Sequence, residues 1–125
     1  MKHLFTSYEL AKIAKEKGFN ERCLMYWIKY PDKVAYLCDL ELHRIRNIEE
    51  ISDNDILAPL YQQVQDWLRE KHNIHIEIEY MDEVLQYNCV VTEILTNTKH
   101  QDVNWKLTYY DALDKAIEQA LTLIP

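Results

Sequence analysis

Ala58-Pro-Leu-Tyr-Gln-Gln-Val-Gln-Asp-Trp-Leu-Arg-Glu-Lys-His-Asn-Ile-His-Ile-Glu-Ile-Glu-Tyr80 changes its hydrophobic period partway along, and that change decides the fold class. Up to His72, the residues Leu60, Tyr61, Val64, Trp67 and Leu68 recur at helical spacing, with Gln62, Gln65, Asp66 and Arg69 on the other side. Pro59 suits the first turn of that helix, where an N–H is not needed. From Ile74 the period is two. Ile74, Ile76, Ile78 and Tyr80 point one way, and His75, Glu77 and Glu79 the other. The stretch therefore predicts a helix that stops at Asn73 and passes directly into a strand with helices on one side and water on the other.

Three further segments read clearly. Thr6-Ser-Tyr-Glu9 has the form of a capping box, with Phe5 and Leu10 as a hydrophobic staple and Gly18 as a left-handed cap, so a helix is expected over residues 7–17. Residues 22–30 and 34–42 are dense in aromatic and branched side chains, and Pro31-Asp32 between them fits a type I turn. A hairpin is the economical reading; a short helix over 20–28 is the competing one. Its first strand is apolar on both faces, which implies burial on both sides or a partner that covers one. At the other end, Thr108 stands as an N-cap with Asp111 at the box position and Leu107/Ala112 as staple. Tyr109, Ala112, Leu113, Ala116, Ile117, Ala120 and Ile124 then form one broad apolar face.

The segments between are less regular. Residues 44–57 are polar and acidic and read as a connecting loop or irregular turn. Residues 87–95 form a fourth strand after a glycine-free turn at 81–86, and 96–102 read as a polar loop. The order is α-β-β-α-β-β-α, without sustained βαβ alternation. It predicts an α+β fold with an antiparallel four-stranded sheet and helices packed mainly on one face. At 125 residues the chain is expected to form one domain, spanning 1–125.

Composition removes several function classes. A single glycine leaves no dinucleotide fingerprint and no phosphate-binding loop, since both need several glycines for close backbone approach. Neither serine, Ser7 or Ser52, lies in a nucleophile elbow. Cys23, Cys38 and Cys89 are odd in number, far apart, and set among apolar residues, so buried reduced thiols are expected. No apolar run is long enough to span a bilayer, and Met1-Lys-His-Leu-Phe-Thr-Ser lacks a signal-peptide core, so the expected location is the cytoplasm and no membrane partner is expected. No cofactor is indicated and no catalytic residue stands out.

Three binding chemistries are then compared. His72 and His75, with Glu77 and Glu79 nearby, could converge on zinc and make a metal-dependent enzyme, although no HExxH is present and a His/Glu row on a solvent face is ordinary. The first third is basic, at +3 over residues 1–33 against −7 for the whole chain. Lys12, Lys15, Lys17 and Arg22 could there contact nucleic acid, but the acidic body repels phosphate. The segment Glu9-Leu-Ala-Lys-Ile-Ala-Lys-Glu-Lys-Gly-Phe, followed by 20–29, lacks the base-reading side chains of a helix-turn-helix. Tyr26, Trp27, Tyr30 and Tyr36 gather on the first hairpin, and an aromatic hairpin is the form a protein interface takes. A non-enzymatic protein-binding accessory or adaptor domain is the favoured reading, with a protein partner or a second copy as the occupant of residues 24–36.

The central stretch from Ala58, the segment Tyr109-Tyr-Asp-Ala-Leu-Asp-Lys-Ala-Ile-Glu-Gln-Ala-Leu and the opening Tyr8-Glu-Leu-Ala-Lys-Ile-Ala-Lys-Glu-Lys-Gly-Phe19 resemble small uncharacterised proteins encoded by phages and prophages of Bacteroidetes. The likeness covers both ends and the middle but not 31–57. It implies a mobile-element origin and supplies no known catalytic residue.

Overall fold

A computed structural model describes residues 2–29, 35–39, 55–101 and 105–125. The chain divides into two compact units, Met1–Gln62 and Gln63–Pro125, with the division in the first turn of the central helix. Both are α+β, and each holds a three-stranded antiparallel sheet.

In the first unit, a short 3-10 turn at Lys2–Leu4 leads into α1, Tyr8–Glu16. Its N-cap is Ser7, whose Oγ accepts the Leu10 N–H at 3.2 Å. The N-cap predicted at Thr6 is thus displaced by one residue, which leaves Leu10 where the box needs Glu9, because Thr6 is wholly buried and used elsewhere. Its N–H and its hydroxyl both donate to the Pro59 carbonyl, at 2.9 and 3.1 Å. Pro59 accordingly lies ahead of the central helix instead of in its first turn. Phe5, the residue before Thr6, bridges Leu60 in antiparallel fashion.

The far end of α1 matches expectation. Gly18 has φ +98°, its N–H donates to Lys15, and the Phe19 N–H donates to Ala14, which together make a Schellman cap.

Strands β1 (Met25–Ile28), β2 (Tyr36–Asp39) and β3 (Asp55–Ala58) pair in the order β2-β1-β3. Residues 25–28 are strand, so the alternative helix over 20–28 does not form. The doubly apolar character of this strand follows from its central position. Trp27 shares a face with Ile56 and Ala58, while Tyr26, on the opposite face, is only 3% exposed. The turn predicted at Pro31-Asp32 lies outside the described residues, as does 44–54 of the expected loop. Asp55–Ala58 is a strand, although its first three residues read as the end of that loop and Ala58 as the start of the helical stretch: the four residues follow an acidic run too closely for a period to register.

In the second unit, α2 (Tyr61–His72) ends where Asn73 takes φ +55°, a backbone that asparagine tolerates, and β4 (Ile74–Met81) begins at once. β4 pairs with β5 (Gln86–Glu93), and β5 with β6 (Thr98–Gln101), in the order β4-β5-β6. The strand expected over 87–95 stops at Glu93. Ile94 and Leu95 are exposed in the following turn, where the Ile94 N–H donates to Asn73 and Asn97 supplies a left-handed residue. The polar loop expected at 96–102 contains β6. Thr-Lys-His-Gln is an edge strand with mostly exposed side chains, so it carries no hydrophobic alternation to read.

The helix α3 (Tyr109–Thr122) lies against β4 and β5. Thr108 caps it, its Oγ1 accepting the Asp111 N–H at 3.1 Å. Ala112, Leu113, Ala116, Ile117, Ala120 and Leu121 are buried along one face. Tyr109, expected in that face, is only partly covered there, at 42% exposed, and Leu107 is 74% exposed and makes no staple.

The predicted single four-stranded sheet is therefore corrected to two three-stranded ones, in the order α-β-β-β-α-β-β-β-α. The added strands, β3 and β6, extend two hairpins to the three strands that an independently stable sheet requires.

Candidate functional site

Tyr26 and Trp27 of the first hairpin are engaged within the fold. Tyr26 is buried. The Trp27 indole Nε1–H donates to the Thr6 carbonyl at 3.1 Å, and its ring meets that of Tyr8 edge to face at 6.5 Å. Lys29 Nζ then sits 4.8 Å from the centroid of the Tyr8 ring. The sheet, the start of α1 and the residue before its cap are tied together through Trp27. Tyr30 lies outside the described residues, and Tyr36 pairs with Ile28 in the β1–β2 register.

The basic residues of the first third do not form a stripe of one sign. Lys12, Lys15 and Arg22 are exposed and Lys17 is half-buried, but Glu9 and Glu16 stand three and four residues from Lys12 on the same helix. Nucleic-acid recognition calls for an unbroken basic surface.

His72 and His75 are also separated in role. The His72 ring packs edge to face on Trp67 at 4.6 Å, whereas His75 Nε2 lies 3.5 Å from Glu77 Oε1 on the solvent face of β4. Among the described residues, no group of three or more His, Cys, Asp or Glu side chains is placed to hold a metal ion. His100 and Glu93, which approach to 2.9 Å on β6 and β5, are a partly exposed surface pair.

Burial, with the Glu21 carboxylate as a lesser cause, pushes the Cys23 thiol up to about 12. Burial and then Asp55 raise that of Cys38. Both remain protonated near neutrality and are poor nucleophiles.

The surface that stands out was not singled out by the sequence. Tyr80 and Tyr87 are cross-strand partners at the end of the β4–β5 hairpin, with ring centroids 5.0 Å apart. Tyr87 meets Tyr109 edge to face at 6.0 Å, and Tyr109 meets Tyr110 likewise at 5.3 Å. Four tyrosines thus form a continuous ladder from β4 across β5 to the first turn of α3. Tyr80 and Tyr109 are 52% and 42% exposed. The isolated bridge between Tyr87 and Lys106, with reciprocal N–H···O bonds of 2.7 and 2.8 Å, holds the segment before α3 against the hairpin.

Exposed apolar residues lie next to the ladder in the chain: Val84 and Leu85 in the hairpin turn, Trp105 and Leu107 ahead of α3. Leu85 is the most informative of these. It is 68% exposed and holds φ +55°, a left-handed backbone that costs an L-residue about 1–2 kcal/mol. A large apolar side chain is kept where both solvation and backbone favour glycine. Such sites are drawn toward function.

A trace of this surface was present in the sequence. Tyr80 and Tyr87 lie symmetrically about a short turn, and Tyr109-Tyr110 opens a capped helix. What could not be read was that α3 returns its first turn to that hairpin.

No protein-family model matches the chain, and no curated protein or solved structure matches it either. Among the described residues, no helix is long and apolar enough to cross a membrane.

Proposed function

We propose that this chain is a non-enzymatic protein-binding accessory or adaptor domain of phage or prophage origin, and that its binding surface is the tyrosine ladder with the Leu85 turn. The observation that carries the reading is the joint exposure of Tyr80, Leu85, Leu107 and Tyr109 around a packed row of rings. Tyrosine is the residue type that interfaces favour, because it offers a large, rigid, apolar body with a polar tip. The origin rests on the resemblance of the three quoted segments to phage-encoded proteins. Compared with residues 24–36, the ladder has its rings at the surface, whereas Tyr26 and Trp27 are engaged within the fold.

The test is affinity purification of the tagged protein from its own host, beside a Tyr80→Ser/Tyr109→Ser double variant, with bound species identified by mass spectrometry. A stoichiometric protein captured by the wild type and lost from the double variant is expected. Equal capture by both, or no protein at all, would overturn the assignment.

A further inference from the structure

We infer that the tyrosine ladder takes a cationic peptide segment, one that lays arginine or lysine side chains over the tyrosine rings; this rests on the protein-binding reading and gives its partner a chemistry. Charge complementarity carries the inference. Residues 63–125 hold five Lys/Arg against eleven Asp/Glu, a net of −6, while residues 1–62 hold nine against ten and are nearly neutral. The acidity also flanks the rings. Asp82 and Glu83, both exposed, lie in the turn of the hairpin that carries Tyr80, Leu85 and Tyr87, and exposed Asp111 follows Tyr109-Tyr110 in the first turn of α3. The opposing charges are Lys106 and the partial positive charge of the α3 N-terminus, which Asp111 offsets.

Ring geometry adds a second reason. A tyrosine face attracts a cation through its quadrupole, and guanidinium does so most readily because it also stacks. Tyr87 and Tyr109 are set at 88° and Tyr109 and Tyr110 at 85°, so the ladder presents ring faces in more than one direction. A chain of flexible cationic side chains can use several of them at once. The first unit already contains one such contact, Lys29 over Tyr8. Phosphate-bearing ligands have rings to stack on here as well, but they would meet the acidic unit with the wrong sign.

The experiment titrates isotope-labelled full-length protein, followed by NMR, with short oligo-arginine, oligo-lysine, oligo-glutamate and oligothymidine probes. Oligo-arginine is expected to bind more tightly than oligo-lysine and to shift amides of residues 79–87 and 105–111. Tyr80→Ser/Tyr109→Ser leaves the net charge unchanged and should weaken oligo-arginine about tenfold. Asp82→Asn/Glu83→Gln should weaken it and flatten its salt dependence. A cooperative thermal transition and an amide spectrum unchanged away from the substituted residues certify that each variant is folded.

Equal affinity for the wild type and the tyrosine variant would reduce the effect to net charge and overturn the inference. So would oligo-glutamate or oligothymidine binding as tightly as oligo-arginine. If oligo-arginine fails while the tagged protein still captures a partner that the tyrosine variant loses, only the cationic assignment falls. If that capture also fails, the protein-binding reading falls with it.

Discussion

Each unit sets an aromatic cluster beside a three-stranded sheet, yet the two clusters do opposite things. In the first, Trp27 donates to the Thr6 carbonyl, touches Tyr8 and stands in the central strand, while Lys29 covers the Tyr8 ring. In the second, Tyr80, Tyr87, Tyr109 and Tyr110 touch one another in a row, and Tyr80 and Tyr109 leave ring surface open. The buried polar groups differ in the same sense. Thr6 has its N–H, hydroxyl and carbonyl all bonded, whereas buried Asn88 Oδ1 finds no hydrogen-bond partner among the described residues. Aromatic density alone does not mark an interface; the fate of the polar ends and ring faces does.

The largest effect should come from the second core. Ile117→Ala removes a wholly buried side chain from α3 and should cost about 2–5 kcal/mol, read by urea denaturation. Hydrogen exchange adds a sharper outcome: amides of α3, β4 and β5 should lose protection more than those of α1. Uniform loss would show that the two units unfold as one body and erase the energetic contrast between them.

Trp27→Phe keeps the apolar bulk but leaves the Thr6 carbonyl without its indole donor, and should cost about 1–3 kcal/mol. Tyr109→Ser, at a partly exposed position, gives up two edge-to-face ring contacts and should cost about 0.5–1 kcal/mol. Equal costs would mean that the ladder is as structural as the Trp27 cluster.

A third pair tests the turns. Gly18→Ala meets no atom within 4 Å of the added Cβ, so its cost, about 1–2 kcal/mol, comes from backbone strain alone. Leu85→Gly should do the reverse and stabilise by about 1 kcal/mol while weakening partner capture. A Leu85→Gly variant that is destabilised would place the leucine in the core side of the ledger and weaken its reading as a binding residue.

The effect that is smallest at neutral pH belongs to Cys23 and shows only in alkaline solution. Cys23 titrates near 9 when unfolded and at about 12 when folded, so its contribution is intact below 9 and declines as pH rises from 9 toward 12. Cys23→Ala should flatten part of the alkaline stability loss, and wild-type Cys23 should resist alkylation at pH 8. Rapid labelling in the native state would contradict its burial.

The legible parts of the sequence were those with local signals. The change of period at Asn73, Gly18 after α1 and Thr108 before α3 each mark a boundary through their own backbone chemistry, and all three are where expected. Ser7 replaced Thr6 as cap because a tertiary bond to Pro59 claimed the threonine, which no local rule can foresee. β3 and β6 escaped because one is four residues at the end of an acidic run and the other is polar throughout. The site was harder still. Tyr80 and Tyr109 join one row through Tyr87 only because α3 runs back across β4 and β5, and helical spacing alone puts Tyr109 on the core face.

Thr6 and Pro59 are joined across 53 residues of sequence. At a synthesis rate of roughly 5–20 residues per second, the start of α1 waits about 3–10 s for that acceptor to leave the ribosome. Until then Phe5, Leu10 and Trp27 have neither the clasp nor the third strand that covers them. The β4–β5 hairpin, by contrast, closes over a short turn within moments of emerging. The unit made first is thus the one whose fastening arrives late, and its apolar residues are the nascent chain's longest-exposed target for chaperones.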